Sequence, residues 1–496
     1  MTVYNIADYG AVAGGEQPAT EAFAAAIEAA AAAGGGTVVV PAGTYLSGPI
    51  RMRSHIELHL SPGAVIAFSA DPADYAPVDS RWEGVRRPVY ASCIYGADLE
   101  NVAVTGFGKL DGRGEPWWKL HREQREALAF PRPKLISFDR CRRVTLRDLT
   151  LVNSPSWTVN PIECEDVTID NMSIHNPADS PNTDGINPES CRNVRIRGCH
   201  IDVGDDCIAI KAGTEDTAER IPCENITITG CTMVHGHGGV VLGSEMSGSI
   251  RRVTIANCVF IGTDRGIRLK SRRGRGGIVE DIRVSNIVME DVICPFILKL
   301  YYFCGPKGKD QYVWDKNPYP VTEETPCFRR IHFSGITARG VRASAGFLYG
   351  LAEQYISEIT FDNIDISMAQ DPEPEYPAMM DGIPKMSRRG FYLGNVRDIR
   401  FSKVTVEDHD GPAFYLEHAE CVELDGCRSV RTRKPEPLVQ RAEEAGARSV
   451  KAGGAAEPAQ AEAAADVQGS GRGGSVELTQ AEVAAGTQAA SDRGQP

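Results

Sequence analysis

A short strand-rich pattern recurs along this chain of 496 residues and leaves few folds open. Each copy opens on a polar residue, runs through an alternating strand, turns at a small or polar residue and continues into a second apolar strand. Copies begin at Asn101 (NVAVTGFGKLDG), Arg143, Asp166 (DVTIDNMSIHNP), Asn193, Asn225 and Arg252, and again at Asp281, Arg330, Glu358 and Asp398. Most starts lie about 23–32 residues apart, with longer gaps where loops intrude. The copies are rich in Val, Ile and Thr, and none carries the helical insert that a strand–helix–strand fold requires. Units that each leave one apolar face uncovered must stack to bury it. The expectation is therefore all-β: a single-stranded, right-handed parallel β-helix.

The stretch PATEAFAAAIEAAAAAG, residues 18–34, is apolar but broken by Glu21 and Glu28 and preceded by acidic rather than basic residues. It reads as an amphipathic helix covering the open end of the β-helix, which would shield edge strands from other chains. Residues 1–432 form the expected domain. From 433 the chain turns to Ala, Gly, Glu and Gln with almost no aromatics, the composition of a disordered tail.

Net charge is -13, which argues against general attraction to nucleic acid or an anionic membrane, while leaving room for an acidic polymer at a local basic patch. No run of about 18 uninterrupted apolar residues suggests a membrane helix. The 14 cysteines stand singly with no CxxC pair, so they read as reduced, buried side chains of a cytoplasmic protein without a bound metal.

Two acidic stretches gain meaning from the repeat. SPNTDGINPES carries Asp184, and GDDCIAIKAG carries Asp205 and Asp206. Asp205 lies 12 positions after Asn193, and His237, in HGHGG, lies 12 after Asn225. An insertion before NTDG lets Asp184 align with Asp206, and the next copy places Arg268 and Lys270, in DRGIRLKS, a few positions further on. Coils stack about 4.8 Å apart, so these residues converge on one surface patch. Alternation agrees: Ile208, Ile210, Ile267 and Leu269 should point inward, with Ala209, Lys211, Arg268 and Lys270 on the outer face. Three crowded carboxylates cannot all ionise near neutrality, so one should hold a proton beside ionised partners. That is the equipment of glycoside hydrolysis, with His237 able to tune or relay the proton. Arg268 and Lys270 suit a sugar carboxylate, and Arg272, Arg273 and Arg275 extend the basic strip; together they point to a polyuronide.

NTDG, GDDC, GHGG and RLK, in this order on β-helix repeats, resemble the polygalacturonase family of pectin glycoside hydrolases (family 28), and the likeness covers nearly all of residues 1–432. The resemblance implies Asp205 as general acid, Asp184 and Asp206 as activators of water, and His237 as support for the acid. It implies substrate binding by Asn182, Arg268, Lys270 and a cleft tyrosine, Tyr302 or its neighbour Tyr301, with no cofactor or metal. It also implies hydrolysis of α-1,4-galacturonosidic bonds with inversion, although inverting carboxyls usually stand about 6.5–9.5 Å apart, more than neighbouring coils allow. Long insertions around 113–134 and 301–326 could block one end of a groove, which favours attack from a chain end.

Plainer readings compete. The aspartates could be turn residues at β-helix corners. Trp117 and Trp118 could form a sugar platform or pack a loop; Trp157 and Asn160 could line the cleft or serve as loop core; and Arg272, Arg273 and Arg275 could be a solvated loop. Two other functions remain open: a β-helical pectate lyase using Ca²⁺, and a non-catalytic polysaccharide-binding β-helix.

Overall fold

The computed structural model describes residues 2–305, 307–430, 437–442 and 451–453. The repeat residues share one backbone signature. Asn101, Arg143, Asp166, Asn193, Asn225, Arg252, Asp281, Arg330, Glu358 and Asp398 all sit at φ between 53 and 60°. Left-handed backbone is costly for most side chains and least so for Asn and Asp, which explains why a polar residue opens so many copies. The small or polar residue at each second turn, among them Asn171, Gly198, Gly230, Asn257 and Gly335, adopts the same conformation. Each corner therefore bends the chain the same way, and the strands of successive coils fall into register.

That register is parallel throughout the helix. Val102 pairs with Val144, then Val167, Val194, Ile226, Val253, Ile282, Ile331, Ile359, Ile399 and Val422, one residue per coil. This column and its partner two positions on are buried, and together they form the continuous core that the repeat anticipates. Each such side chain contributes at most about 1.5–3 kcal/mol of burial, so stability comes from many small equal steps. Towards the C-terminal end the core becomes a stack of Phe296, Phe333, Phe361, Phe391, Phe401 and Phe414.

The helix Thr20–Ala32 forms as the apolar pattern anticipates, and buries Phe23, Ala26, Ile27 and Ala30 against the strands Val3–Asn5 and Gly36–Val40 of the first coil. Most of the segment expected to be disordered lies outside the described residues. Within it, Val439–Arg441 pairs with Phe414–Leu416, and Lys451–Gly453 pairs with Glu423–Asp425.

One face of the β-helix carries the candidate site. Its strands include Val159–Ile162, Ile208–Ile210, Val240–Gly243, Arg265–Lys270, Cys294–Lys299 and Ser344–Tyr349. Four insertions surround this face. An antiparallel hairpin, Pro77–Trp82 and Val85–Tyr90, turns tightly at Glu83 and Gly84, both left-handed. The second, around 113–134, contains the helix Glu115–Glu123. The third, around 301–326, contains the short helix Gln311–Trp314. The fourth, a strap over 369–388, is closed by an antiparallel bridge between Glu375 and Met386. The sequence reading anticipated the middle two but not the hairpin or the strap.

Candidate active site

Backbone hydrogen bonds between coils deliver the acids to one place. The Gly185 N–H donates to the Asp206 carbonyl (3.0 Å), the His237 N–H to the Asp205 carbonyl (3.1 Å), and the Cys207 N–H to the Gly238 carbonyl (2.9 Å). Two glycines of the motifs are needed for this closeness. A Cβ on Gly185 would lie 2.4 Å from the Cys207 carbonyl oxygen. One on Gly238 would lie 2.5 Å from Val241 Cγ2 and 3.3 Å from Asp206 Oδ1. The result gathers oxygens of Asp184, Asp205 and Asp206 within 4.8 Å of one another. This is nearer than the usual inverting separation, as stacking on neighbouring coils requires.

The three carboxylates have different surroundings. Asp206 is buried and takes Lys270 Nζ on Oδ2 (2.7 Å) and Arg268 Nη1 on Oδ1 (3.3 Å). Asp184 is buried too; it accepts from Asn187 Nδ2 (3.0 Å) and lies 4.0 Å from Lys211 Nζ. Burial pushes the Asp184 carboxyl well up, the charges of Asp205 and Asp206 add to this, and Lys211 opposes it. Asp205 is the most open of the three and accepts from its neighbour's N–H (2.9 Å) and from His237 Nδ1 (3.2 Å). Desolvation would raise its carboxyl, but the charge of His237 and the hydrogen bond to it prevail and hold Asp205 below the usual carboxylate range. His237 in turn is pushed up to about 9, chiefly by Asp205, with Asp264 and Asp206 contributing. Its ring is 54% exposed, so solvent screening makes that value an upper bound.

The sequence reading assigns the donated proton to Asp205. In the free site the charge pairing favours that proton on the imidazole partner, while burial favours a second proton on Asp184. Charge decides the first placement and desolvation the second, and both depend on neighbours from several coils.

The outer face of the strands is as anticipated in direction but not in accessibility. Ala209, Lys211, Arg268 and Lys270 point away from the core, yet Arg268 is only 2% exposed. Met379 of the strap covers it, with Sδ 2.8 Å from Arg268 Nη2. Tyr302 lies beside Arg268 and Lys270, 5.9 and 5.3 Å from its ring centre, whereas Tyr301 packs under Arg273 and against Tyr349. Of the two tyrosines, Tyr302 is therefore the one that stands beside the site cations. Asn182 turns its Oδ1 to Arg132 Nη2 (2.6 Å), a buried arginine that also holds the carbonyls of Pro155 and Pro181. Asn182 thus fastens the turn that carries Asp184.

Several alternatives resolve. Trp117 is buried against Tyr75 and Tyr90, and Trp118 donates to the Ser154 carbonyl (2.9 Å), so both pack the inserted helix. Trp157 stacks on Trp82 of the hairpin at 5.3 Å, with Lys211 Nζ 4.8 Å from its ring centre, at the edge of the site. Asn160 is buried, joined to Lys134 Nζ and the Asn187 carbonyl. Arg272, Arg273 and Arg275 are neither a solvated loop nor a substrate strip. All three are buried, Arg272 and Arg275 on Glu215 and Arg273 on Glu353.

The sequence reading missed Lys211 as a partner of the acids, although its position repeats that of Lys270 and Lys299 at the ends of IAIK, IRLK and FILK. It also missed Glu245, whose Oε2 lies 3.4 Å from Lys211 Nζ.

Comparison with known proteins agrees with this geometry. Residues 34–375 match the family model described as glycosyl hydrolases family 28. A probable polygalacturonase from Vitis vinifera is 34% identical over 377 residues, spanning 74% of each chain. The crystal structure of a hyperthermoactive exopolygalacturonase from Thermotoga maritima superposes with a TM-score of 0.68 at 30% identity, covering 82% of this chain and 91% of that one. The polygalacturonase of Erwinia carotovora, at 24% identity and a TM-score of 0.61, shares the fold over 78% of this chain and 95% of its own. Acids, histidine and cations thus stand on a β-helix whose sequence matches one hydrolase family through every coil of the site: the chain belongs to glycosyl hydrolases family 28 and is a glycoside hydrolase.

Proposed function

We propose that this enzyme hydrolyses α-1,4-galacturonosidic bonds of polygalacturonate and its oligomers, from a chain end and with inversion. The observation that carries this reading is the pairing of a three-carboxylate cluster with Arg268 and Lys270 two or three coils away, because that joins acid–base chemistry to a carboxylate anchor. The proton passes from His237 Nδ1 across 3.2 Å to Asp205, and from Asp205 to the leaving glycosidic oxygen. Water held between Asp184 and Asp206 attacks the anomeric carbon from the opposite side and gives its proton to the ionised member of that pair. Arg268 and Lys270 bind the uronate carboxylate against the Tyr302 ring. The hairpin on one side and the strap on the other support a short cleft suited to chain ends. The fourteen free cysteines support a reducing compartment such as the cytoplasm.

A time course on polygalacturonate and defined oligomers tests the reading. Mono- or digalacturonate should accumulate from the start without the absorbance of unsaturated uronides, and proton NMR should show the β-anomer first. Early ladders of mid-length products would remove the chain-end claim. The acid cluster has the oxygen spacing to take a cation, which is the one observation in favour of a lyase. New absorbance that EDTA abolishes would establish that chemistry and overturn hydrolysis.

The histidine makes a pH prediction. His237 keeps its proton up to a pH no higher than about 9 and loses it above, so kcat/KM should fall on the alkaline side by up to about tenfold per pH unit. A His237→Gln enzyme should lack that limb in a profile from pH 5 to 10.5. An unchanged limb would remove His237 from the proton path.

A further inference from the structure

One buried cation beside the site has no anionic partner among the described residues. Lys299 ends the strand Cys294–Lys299 and pairs in register with Lys270, one coil further from the acids. It is 0% exposed. Its Nζ donates to the Met379 carbonyl of the strap and stands 4.9 Å from the Tyr302 ring centre and 5.9 Å from that of Phe303. The neighbouring cations are accounted for. Arg265 pairs with Asp264 (3.0 Å), while Arg268 and Lys270 share Asp206. No carboxylate pairs with Lys299 among the described residues. Burial and the charges of Arg268, Arg265 and Lys270 push it well below the ordinary lysine range, with Cys304 alone opposing.

A buried lysine amine whose one acceptor is a neutral carbonyl is a costly arrangement, and an incoming carboxylate would favour its charged form and relieve it with charge-assisted hydrogen bonds. The strap is held the same way elsewhere. Arg265 donates to the carbonyls of Tyr376 (2.9 Å) and Pro377 (3.3 Å), and Arg268 touches the Met379 thioether. All of these are uncharged acceptors resting on cations, which a substrate carboxylate would outcompete.

We propose that Lys299 is a further specificity-determining residue, binding the carboxylate of a second uronate beyond the one held by Arg268 and Lys270 when Met379 moves off it. This rests on the galacturonan reading above and extends it: productive binding of longer oligomers engages two carboxylates on the strap side of the acids.

The test is steady-state kinetics of the full chain, wild type beside Lys299→Met, Lys299→Gln and Lys299→Arg, on digalacturonate and trigalacturonate. Lys299→Met removes a buried charge at similar volume and should fold; Lys299→Gln serves if it does not. With either variant, KM for trigalacturonate should rise about tenfold or more and kcat should stay within about twofold, while KM for digalacturonate stays near the wild-type value. Lys299→Arg should restore most of the loss. Unchanged KM for trigalacturonate, or an equal rise for both oligomers, would overturn the proposal. A wild-type enzyme that cleaves neither oligomer would overturn the galacturonan reading itself, and the role of Lys299 with it.

Discussion

An Asp205→Asn enzyme is expected to lose about 10²–10⁴ of kcat on oligogalacturonides while binding them nearly as well as the wild type. The substitution is close to isosteric. The Asn carbonyl oxygen can still accept from the Asp206 N–H and from His237 Nδ1, which now stand 2.9 and 3.2 Å from Oδ1, so the turn should keep its shape. What disappears is the group able to receive a proton from His237 and pass it to the leaving oxygen. A second effect follows from the same change. The charge of Asp205 is the largest influence holding His237 high, so the histidine should titrate lower in the variant. Single-turnover rates, oligomer binding by calorimetry and NMR titration of the His237 ring check the three parts together. If more than about a tenth of kcat survives, Asp205 is not the general acid. If binding is lost along with turnover, the variant has damaged the site and Asp205→Glu becomes the decisive comparison.

The second large effect concerns the scaffold. Replacing Arg273 by Met should destabilise the protein by about 3–5 kcal/mol, because it strands the buried Glu353 carboxylate without its partner. Arg273 reaches Glu353 twice, at 2.6 and 2.8 Å, and donates to the carbonyls of Tyr312 (3.0 Å) and Asn317 (3.0 Å), with the Tyr319 ring centre 4.8 Å away. It is the post on which the insertion around 301–326 hangs. Lysine should not rescue it, since it lacks the planar fork that serves several acceptors at once. Thermal unfolding reports the loss, and faster hydrogen exchange over 311–317 should localise it. An Arg273→Met protein that melts with the wild type and exchanges no faster there would refute the anchoring role.

The β-helix and the order of the acids along it were legible in the sequence because in-register parallel pairing converts a sequence offset into a position. Ten polar residues at the same left-handed corner set the coil, and equal counts from Asn193 and Asn225 place Asp205 and His237 on adjacent turns. Gly185 and Gly238 are what lets backbone and acid approach closely there, a need that shows only in the folded coils. Nothing in that arithmetic, however, describes what lies over the outer face. Arg268 meets Met379 across 111 residues, and Trp157 meets Trp82 across 75, through insertions that follow no period. Those contacts turn Arg272, Arg273 and Arg275 from an apparent binding strip into buried supports, make Trp117 and Trp118 core, and seal Lys299 under the strap. They also decide which acid holds a proton, since desolvation sums over every neighbour in space. The repeating, local and in-register part of this protein was written along the chain; the charge states and the cover of the cleft arise from aperiodic contacts that exist only once it has folded.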